Sequence, residues 1–370
     1  MFTTSPLPEE VAVPTFAHPP TDRVVIGVDT HRDVHVAVAL DHLGRKLDTL
    51  AIPTTAVGYG ELLEWAQSLG EIEAWGIEGT GCFGAGLARF LAAENQVVIE
   101  VIRPNRQTRR RRGKSDPTDA EAAARAVLAG EATGAPKAGN DVVEMIRVLR
   151  VARSSAVKAR VQAVNVLHAL VITAPGELRQ RLSGLTTTAL VSAAAGLRPG
   201  RERTVLAHTK MALRSVAQRC QALDAELAGL DARLDELTAE AAPDLLERFG
   251  VGPDTAGALL VTAGDNPHRL RSEAAFAMLC GVAPLPASSG QTTDRYRLNR
   301  GGDRQANVAL YRIVLVRMRW DSRTKHYVER RTKEGKTKKE IIRCLKRYVA
   351  REIYAALTTR PDRRTLTRAA

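Results

Sequence analysis

Apolar residues run almost unbroken from Val24 to Val28. The run is too short for a buried helix and is flanked by charge, so it predicts a buried strand. Val34 to Leu40 and Arg45 to Leu50 predict two more strands, with Asp41 to Gly44 as the turn between them. Helical spacing follows over Tyr59–Leu69 and Gly84–Glu94. Strand-like runs occupy Ala74–Ile77 and Val97–Ile102, and an alanine-rich stretch, Thr118–Ala129, reads as helix.

Three hairpin-type strands followed by alternating helix and strand is the order of an RNase H-like α/β domain, placed here at residues 23–135. The rest reads as helical, so the expected class is α/β plus α. Leu213, Val216, Cys220, Leu223, Leu227, Leu230, Leu234 and Leu237 recur at spacings of three and four. Such a seam predicts a coiled coil within a helical segment at 136–242. Its partner is either the Asp141–Ile172 helix of the same chain or another subunit; a lone helix lying on its own domain is the alternative. Pro243 ends the seam and opens a mainly helical C-terminal domain, residues 243–370. Leu245–Gly252 and Thr255–Leu260, joined at Gly250-Val251-Gly252-Pro253, resemble a helix-hairpin-helix. Its turn amides and second helix N-terminus would suit a DNA phosphate, and a plain tight connection is the other reading. Gly281 to Gly302, rich in Gly, Ser, Pro and Thr, predicts a loop, and Arg304–Arg319 and Lys338–Leu357 predict helices.

Charge narrows the function. Against 41 acids stand 54 Lys and Arg, a formal net charge of +13, which favours a polyanionic partner. Aromatics are 4% of the chain, so stacking platforms of the single-strand-binding kind should not dominate. Cys82, Cys220, Cys280 and Cys344 form no CxxC pair, which makes zinc and disulfide readings weak and fits a reducing cytosol. No uncharged apolar run reaches the ~18 residues of a membrane span. Residues 1–22 are proline-rich without a basic start and read as a disordered tail.

Four carboxylates stand out. Asp29 closes the first strand in Gly-Val-Asp-Thr, and Glu78 closes a later one in Gly-Ile-Glu-Gly-Thr-Gly. Asp116 and Asp119 open a helix in Lys-Ser-Asp-Pro-Thr-Asp-Ala, spaced so that one turn aims both the same way. Each alone reads equally well as a cap or a surface charge. Gathered, they would repel by roughly 3 kcal/mol per pair at ~5 Å and an effective dielectric of ~20. Such a cluster calls for cations, and oxygen ligands select Mg²⁺, with Mn²⁺ as a substitute.

These three blocks resemble the Asp-Glu-Asp-Asp signature of the DEDD-type insertion-sequence transposases, also called bridge recombinases, and of Piv-like DNA invertases. The resemblance implies a RuvC-like catalytic domain with Asp29, Glu78, Asp116 and Asp119 as its metal-binding set. A second block, Gly281-Val282-Ala283-Pro284, Ser288-Ser289-Gly290 and Arg297-Leu298-Asn299-Arg300-Gly301-Gly302, is similar to the C-terminal domain of the same family. There a serine before a glycine attacks DNA, and Ser289 holds the matching position, with Ser288 beside it. Arg300 stands where the family commonly has Lys, which keeps the charge and changes the donor geometry. No histidine lies near Ser289 in sequence, and a serine hydroxyl needs activation. The resemblance further implies donor and target DNA and a structured guide RNA as partners.

Two basic segments fit nucleic acid. Arg103, Arg106, Arg109, Arg110, Arg111, Arg112 and Lys114 directly precede Asp116, as a backbone clamp would. Arg330 to Arg347 is the second, and Arg297 and Arg300 flank the serine loop. A homo-oligomer through the coiled coil is expected. The main alternatives are a RuvC-like nuclease using water, which needs the acids but not Ser289, and a nucleic-acid-binding protein without catalysis.

Overall fold

The computed structural model describes residues 23–101, 115–288, 296–299 and 301–358. The 1–22 tail, the basic run from Arg103 to Lys114, Ser289 and Arg300 lie outside the described residues. The chain divides into two compact units, Met1–Pro136 and Lys137–Ala370.

The first unit is a mixed α/β domain around one five-stranded sheet. The strands are β1 (Arg23–Thr30), β2 (Val34–Asp41), β3 (Lys46–Pro53), β4 (Glu71–Glu78) and β5 (Val98–Val101). Their spatial order is β3-β2-β1-β4-β5. β1 and β2, and β2 and β3, pair antiparallel; β1 and β4, and β4 and β5, pair parallel. This arrangement is consistent with the RNase H-like order expected from the sequence. Helices α1 (Ala56–Leu69) and α2 (Ala85–Ala93) make the crossovers, and α3 (Asp116–Leu128) follows β5.

Both faces of the central strands are covered, which is why β1 reads as an unbroken apolar run rather than an alternation. Val24, Ile26 and Val28 share a core with Leu62, Trp75, Ile77, Leu87 and Leu91 on the α1 and α2 side. Val25 packs with Val38, Leu40, Ala120 and Ala124 on the α3 side. The β2–β3 turn is held by buried Asp41. Its Oδ1 accepts from the Leu43 and Arg45 amides at 2.9 and 2.8 Å, and its Oδ2 from Arg45 Nε at 2.6 Å. Burial alone would raise the carboxyl's pKa; the Arg45 and Leu43 bonds outweigh it and hold the pKa below the usual value.

The second unit is mainly helical. Its long members are α4 (Val142–Ile172) and α7 (Val205–Ala241), with α5 (Gly176–Leu182) and α6 (Thr187–Ala195) between them. Arg153 pairs with Asp231 and Arg160 with Asp224. Partners one heptad apart on α4 thus meet partners one heptad apart in reverse on α7, so the two helices run antiparallel. The seam packs inside the chain at its ends, where Leu213, Cys220 and Leu234 are buried. In the middle, Leu223, Leu227 and Leu230 are only half-buried.

The remaining elements are α8 (Pro243–Leu246), α9 (Pro253–Ala263), α10 (Glu273–Leu279), α11 (Arg304–Trp320), α12 (Ser322–Lys333) and α13 (Lys338–Thr358). They form a common core with one end of the long pair: Val142, Val143 and Ile146 from the start of α4, and Leu234 and Ala241 from the end of α7, join Leu260, Phe276, Leu310 and Ile353.

Two expectations need correction here. The first limb of the helix-hairpin-helix reading is a single turn, Pro243–Leu246, rather than a helix over 245–252. Nor is the start of α9 open to a phosphate. Asp254 stands in its first turn, taking Arg150 Nη1 on Oδ1 at 2.7 Å and Arg312 Nη1 on Oδ2 at 2.6 Å. The chain's own carboxylate satisfies the helix dipole. Residues 281–302, expected as loop throughout, contain a two-stranded ribbon, β6 (Pro284–Pro286) paired with β7 (Tyr296–Leu298). Two prolines in a three-residue strand hide it from a propensity reading.

Candidate metal centre

The site begins with two glycines. Strand residues alternate between faces, so Val25, Gly27 and Asp29 of β1 share the face that α3 covers. On β4, Ala74, Gly76 and Glu78 do the same. Gly27 and Gly76 are register partners. A Cβ at Gly27 would fall well inside the Ala120 carbonyl oxygen and the Ala124 amide nitrogen. At Gly76 it would lie 2.8 Å from Ala123 O and 2.7 Å from Val127 Cγ2. The paired glycines therefore form the shallow bed in which α3 lies. Two residues further along each strand, past the bed, stand Asp29 and Glu78. The first turn of α3, which carries Asp116 and Asp119, reaches the same end of the sheet.

His31 Nε2 lies 3.3 Å from Asp29 Oδ2 and 3.3 Å from Asp116 Oδ1. Ligand atoms of Asp29, His31 and Asp116 all fall within 4.8 Å of one another. Asp29 is 7% exposed and Asp119 2%, whereas the Asp116 side chain is 48% exposed. Glu78 follows Ile77, the register partner of Val28, so it ends the strand beside Asp29. Thr30 Oγ1 donates to Glu78 O at 2.8 Å and ties the two strand ends together. Of the four predicted acids, the structure brings Asp29 and Asp116 into one close group. Glu78 and Asp119 share the sheet end and the helix turn but stand outside that group.

The sequence reading missed His31. Its signal was available: two residues beyond Asp29 at a strand end, it projects on the same side. His35 is buried and stacked on Tyr59 at 5.9 Å. The His31 amide donates to His35 Nδ1 at 3.3 Å. Burial pushes the His35 pKa down, which suits an imidazole that accepts on Nδ1. Its Nε2 is buried with no partner among the described residues.

The donor set suits a hard divalent cation. It offers carboxylate oxygens from a rigid sheet end and a helix N-terminus; the one imidazole beside them suits Mn²⁺ better than Mg²⁺.

Comparisons with known proteins bear on what this site belongs to. Residues 26–174 match the model of a DEDD transposase family, described as "Transposase", and residues 243–329 match "Transposase IS116/IS110/IS902 family". Together the two take in well over half the chain, and the first spans every residue of the carboxylate set. The chain belongs to the IS110/IS116/IS902 family of transposases. The family is one of enzymes. Among relatives of this transposase family, the "Insertion element IS110 uncharacterized 43.6 kDa protein" of Streptomyces coelicolor is 32% identical over 146 residues, 39% of this chain. That match spans 36% of the relative's own length. The "Insertion element IS900 uncharacterized 42 kDa protein" of Mycobacterium paratuberculosis is 24% identical over 385 aligned residues, 90% of this chain and 94% of the relative. No described helix is long and apolar enough to cross a membrane.

Of the remaining predicted residues, Arg297 lies on β7 and is exposed. Ser288 follows β6 and is exposed; Ser289 itself falls outside the described residues.

Proposed function

We propose that this chain is the recombinase of a mobile insertion sequence, cutting and rejoining DNA through Ser289 with divalent cations held by Asp29, Glu78, Asp116 and Asp119. A structured RNA from the element would select donor and target DNA. The observation that carries the reading is the meeting of Asp29 and Asp116, far apart in sequence, on either side of His31 at one sheet end. They meet in a chain that two transposase models match.

In this reading the N-terminal unit is RuvC-like. When bound there, Mg²⁺ or Mn²⁺ would stabilise the negative charge that develops on a phosphodiester. Strand ends hold Asp29 and Glu78 with little freedom, and the glycine bed sets the depth of α3. Ser289 Oγ attacks phosphorus. The Oγ–P bond forms as one P–O bond of the strand breaks, and the serine proton ends on the departing oxygen. A serine phosphodiester replaces a strand phosphodiester, so rejoining to a new end needs no nucleotide triphosphate, and the chain has no GxxxxGK[ST] loop. Covalent capture also keeps the cut end from drifting away. The protein would work as a homo-oligomer joined along the long helices, in the bacterial cytoplasm at the nucleoid.

The test combines protein, guide RNA, both DNAs and Mg²⁺, and sequences any recombinant junctions. Denaturing the reaction with labelled DNA should leave an adduct that mass spectrometry maps to Ser289. An adduct on another residue, or full exchange by Ser289→Ala, overturns the serine. Cleavage without any adduct favours a nuclease that uses water.

A further inference from the structure

The neck of the serine loop is closed by glycines. A Cβ at Gly281 would lie 2.6 Å from Gly301 O, and one at Gly302 would lie 2.7 Å from Leu279 O. Asp303 N donates to Leu279 O at 2.6 Å across the same neck. Asn307 adds a clamp: its Nδ2 donates to Cys280 O at 2.9 Å and Gly281 O at 3.1 Å, and its Oδ1 accepts from Lys346 Nζ at 2.9 Å.

Beside this neck, between the β6–β7 ribbon and α13, lies a cleft of about 510 Å³. Six cations and one carboxylate line it. Two of the cations are spoken for: Arg347 pairs with Glu273, and Arg351 lies 3.9 Å from the same carboxylate. The single acid, Glu340, accepts from the Thr337 amide and hydroxyl at 2.8 and 2.7 Å, bonds that hold its pKa down. That leaves Arg297, Lys336, Arg343 and Lys346, none in an ion pair with a described residue. Lys346 is half-buried, and burial together with the charge of Arg343 lowers its pKa. Glu340 offsets part of the charge of Lys336 and Arg343, but four cations against one carboxylate leave the cleft net positive, which an anion would neutralise. The rim carries Tyr296 and Tyr348, 61% and 48% exposed. They offer ring faces to a sugar or base. The cleft is of a size to take a short stretch of one strand's backbone.

We infer that this cleft seats the sugar–phosphate backbone of one DNA strand at the root of the serine ribbon, with Arg343, Lys336, Lys346 and Arg297 as its phosphate contacts. The inference rests on the reading that the protein acts on DNA, and gives that reading a place on the second unit. The Lys346 amine also braces Asn307 and through it the ribbon.

The test is equilibrium binding of the full chain, carrying Ser289→Ala and without Mg²⁺, to a random-sequence single-stranded DNA across a salt series. Chemistry is not read in this assay, so failure of the serine assignment and failure of the cleft appear in separate experiments. Each lost phosphate contact should lower the slope of log K against log salt by about 0.7. Lys336→Gln with Arg343→Gln, the first half-buried and the second exposed, should flatten it by about 1.4. Lys210→Gln with Arg214→Gln on α7 removes the same charge far along the chain and should change the slope less. Lys346→Arg should retain more binding than Lys346→Gln. An unchanged slope in the folded cleft variant overturns the inference. So does an equal loss in the α7 variant, or a loss confined to an RNA strand of the same sequence.

Discussion

Gly27 and Gly76 face each other across two parallel strands, and both lie under α3. Neither is needed for a turn. Their missing side chains set how closely a helix approaches the sheet, and hence how closely Asp116 approaches Asp29. The motifs Gly-Val-Asp and Gly-Ile-Glu are in this sense each a single device: a seat for the helix, then a carboxylate beyond its edge.

Gly27→Ala should therefore injure the proposed metal centre without touching any acid. A methyl group there must displace α3 backbone, and overpacking of this kind costs about 3 kcal/mol at its upper range. We expect a lower melting temperature and weaker Mn²⁺ binding by calorimetry. Mn²⁺ affinity at the parent's level in a folded Gly27→Ala protein would refute the account.

Asp29→Ala and Glu78→Ala should each reduce strand cleavage on the order of 100-fold or more. DNA and RNA affinity should hold, because these acids repel phosphate rather than bind it. Chelating divalent ions from the parent protein should give the same loss, reversed by adding Mg²⁺ back. Gel assays of cleavage beside binding isotherms decide it, and full recombination by either variant removes the acid from the site.

Asp41 predicts a pH dependence. Its carboxyl titrates below its usual value in the folded chain. Its stabilising contribution is therefore present above the unfolded pKa and is lost as pH falls through the folded one. Asp41→Asn should destabilise the protein by about 2 kcal/mol at neutral pH, the scale of hydrogen bonds to a charged group. The deficit should shrink in acid. Denaturant unfolding of both proteins at several pH values measures this, and a gap that stays constant into acid would exclude Asp41 as its source.

Leu227 and Leu230 test assembly. In the single chain both are half-buried, mid-way along α7. Replacing them together with Lys should spare the helical fold and dissociate the proposed homo-oligomer, since paired cations at a seam exclude an apolar partner. Sedimentation and circular dichroism separate the two effects. An unchanged oligomer assigns the seam wholly to contacts within the chain.

The strands of the first unit were legible because burial on one or both faces leaves a strong apolar signal. Val24 to Val28 and Val34 to Leu40 needed nothing else. The carboxylates were legible because each sits where an element begins or ends. The parallel pairing of β1 with β4 depends on contacts distant in sequence, and only the order of elements hinted at it. The ribbon at Pro284–Pro286 was opaque, since proline argues against strand even where an edge position tolerates it. Ser322–Lys333 went unread because it is mostly polar and packs through few residues, among them Tyr327 and Val328. His31 was passed over because one imidazole among charged neighbours carries little weight until the carboxylates on either side of it are placed.

The glycine-closed neck has a consequence for how this protein can diversify. Its two ends are pinned to α10, α11 and α13 by main-chain and Asn307 bonds, and Val282 and Asn299 just inside the neck touch the body as well, so the neck rather than the tip carries the packing. Enlarging a loop whose ends already meet costs little, about 0.6 kcal/mol for each doubling of its length. The connection between Pro286 and Tyr296 can thus lengthen or shorten around Ser289 while the body keeps its packing. Related elements would be free to exchange this piece like a cassette and meet new DNA without redesigning the rest of the chain.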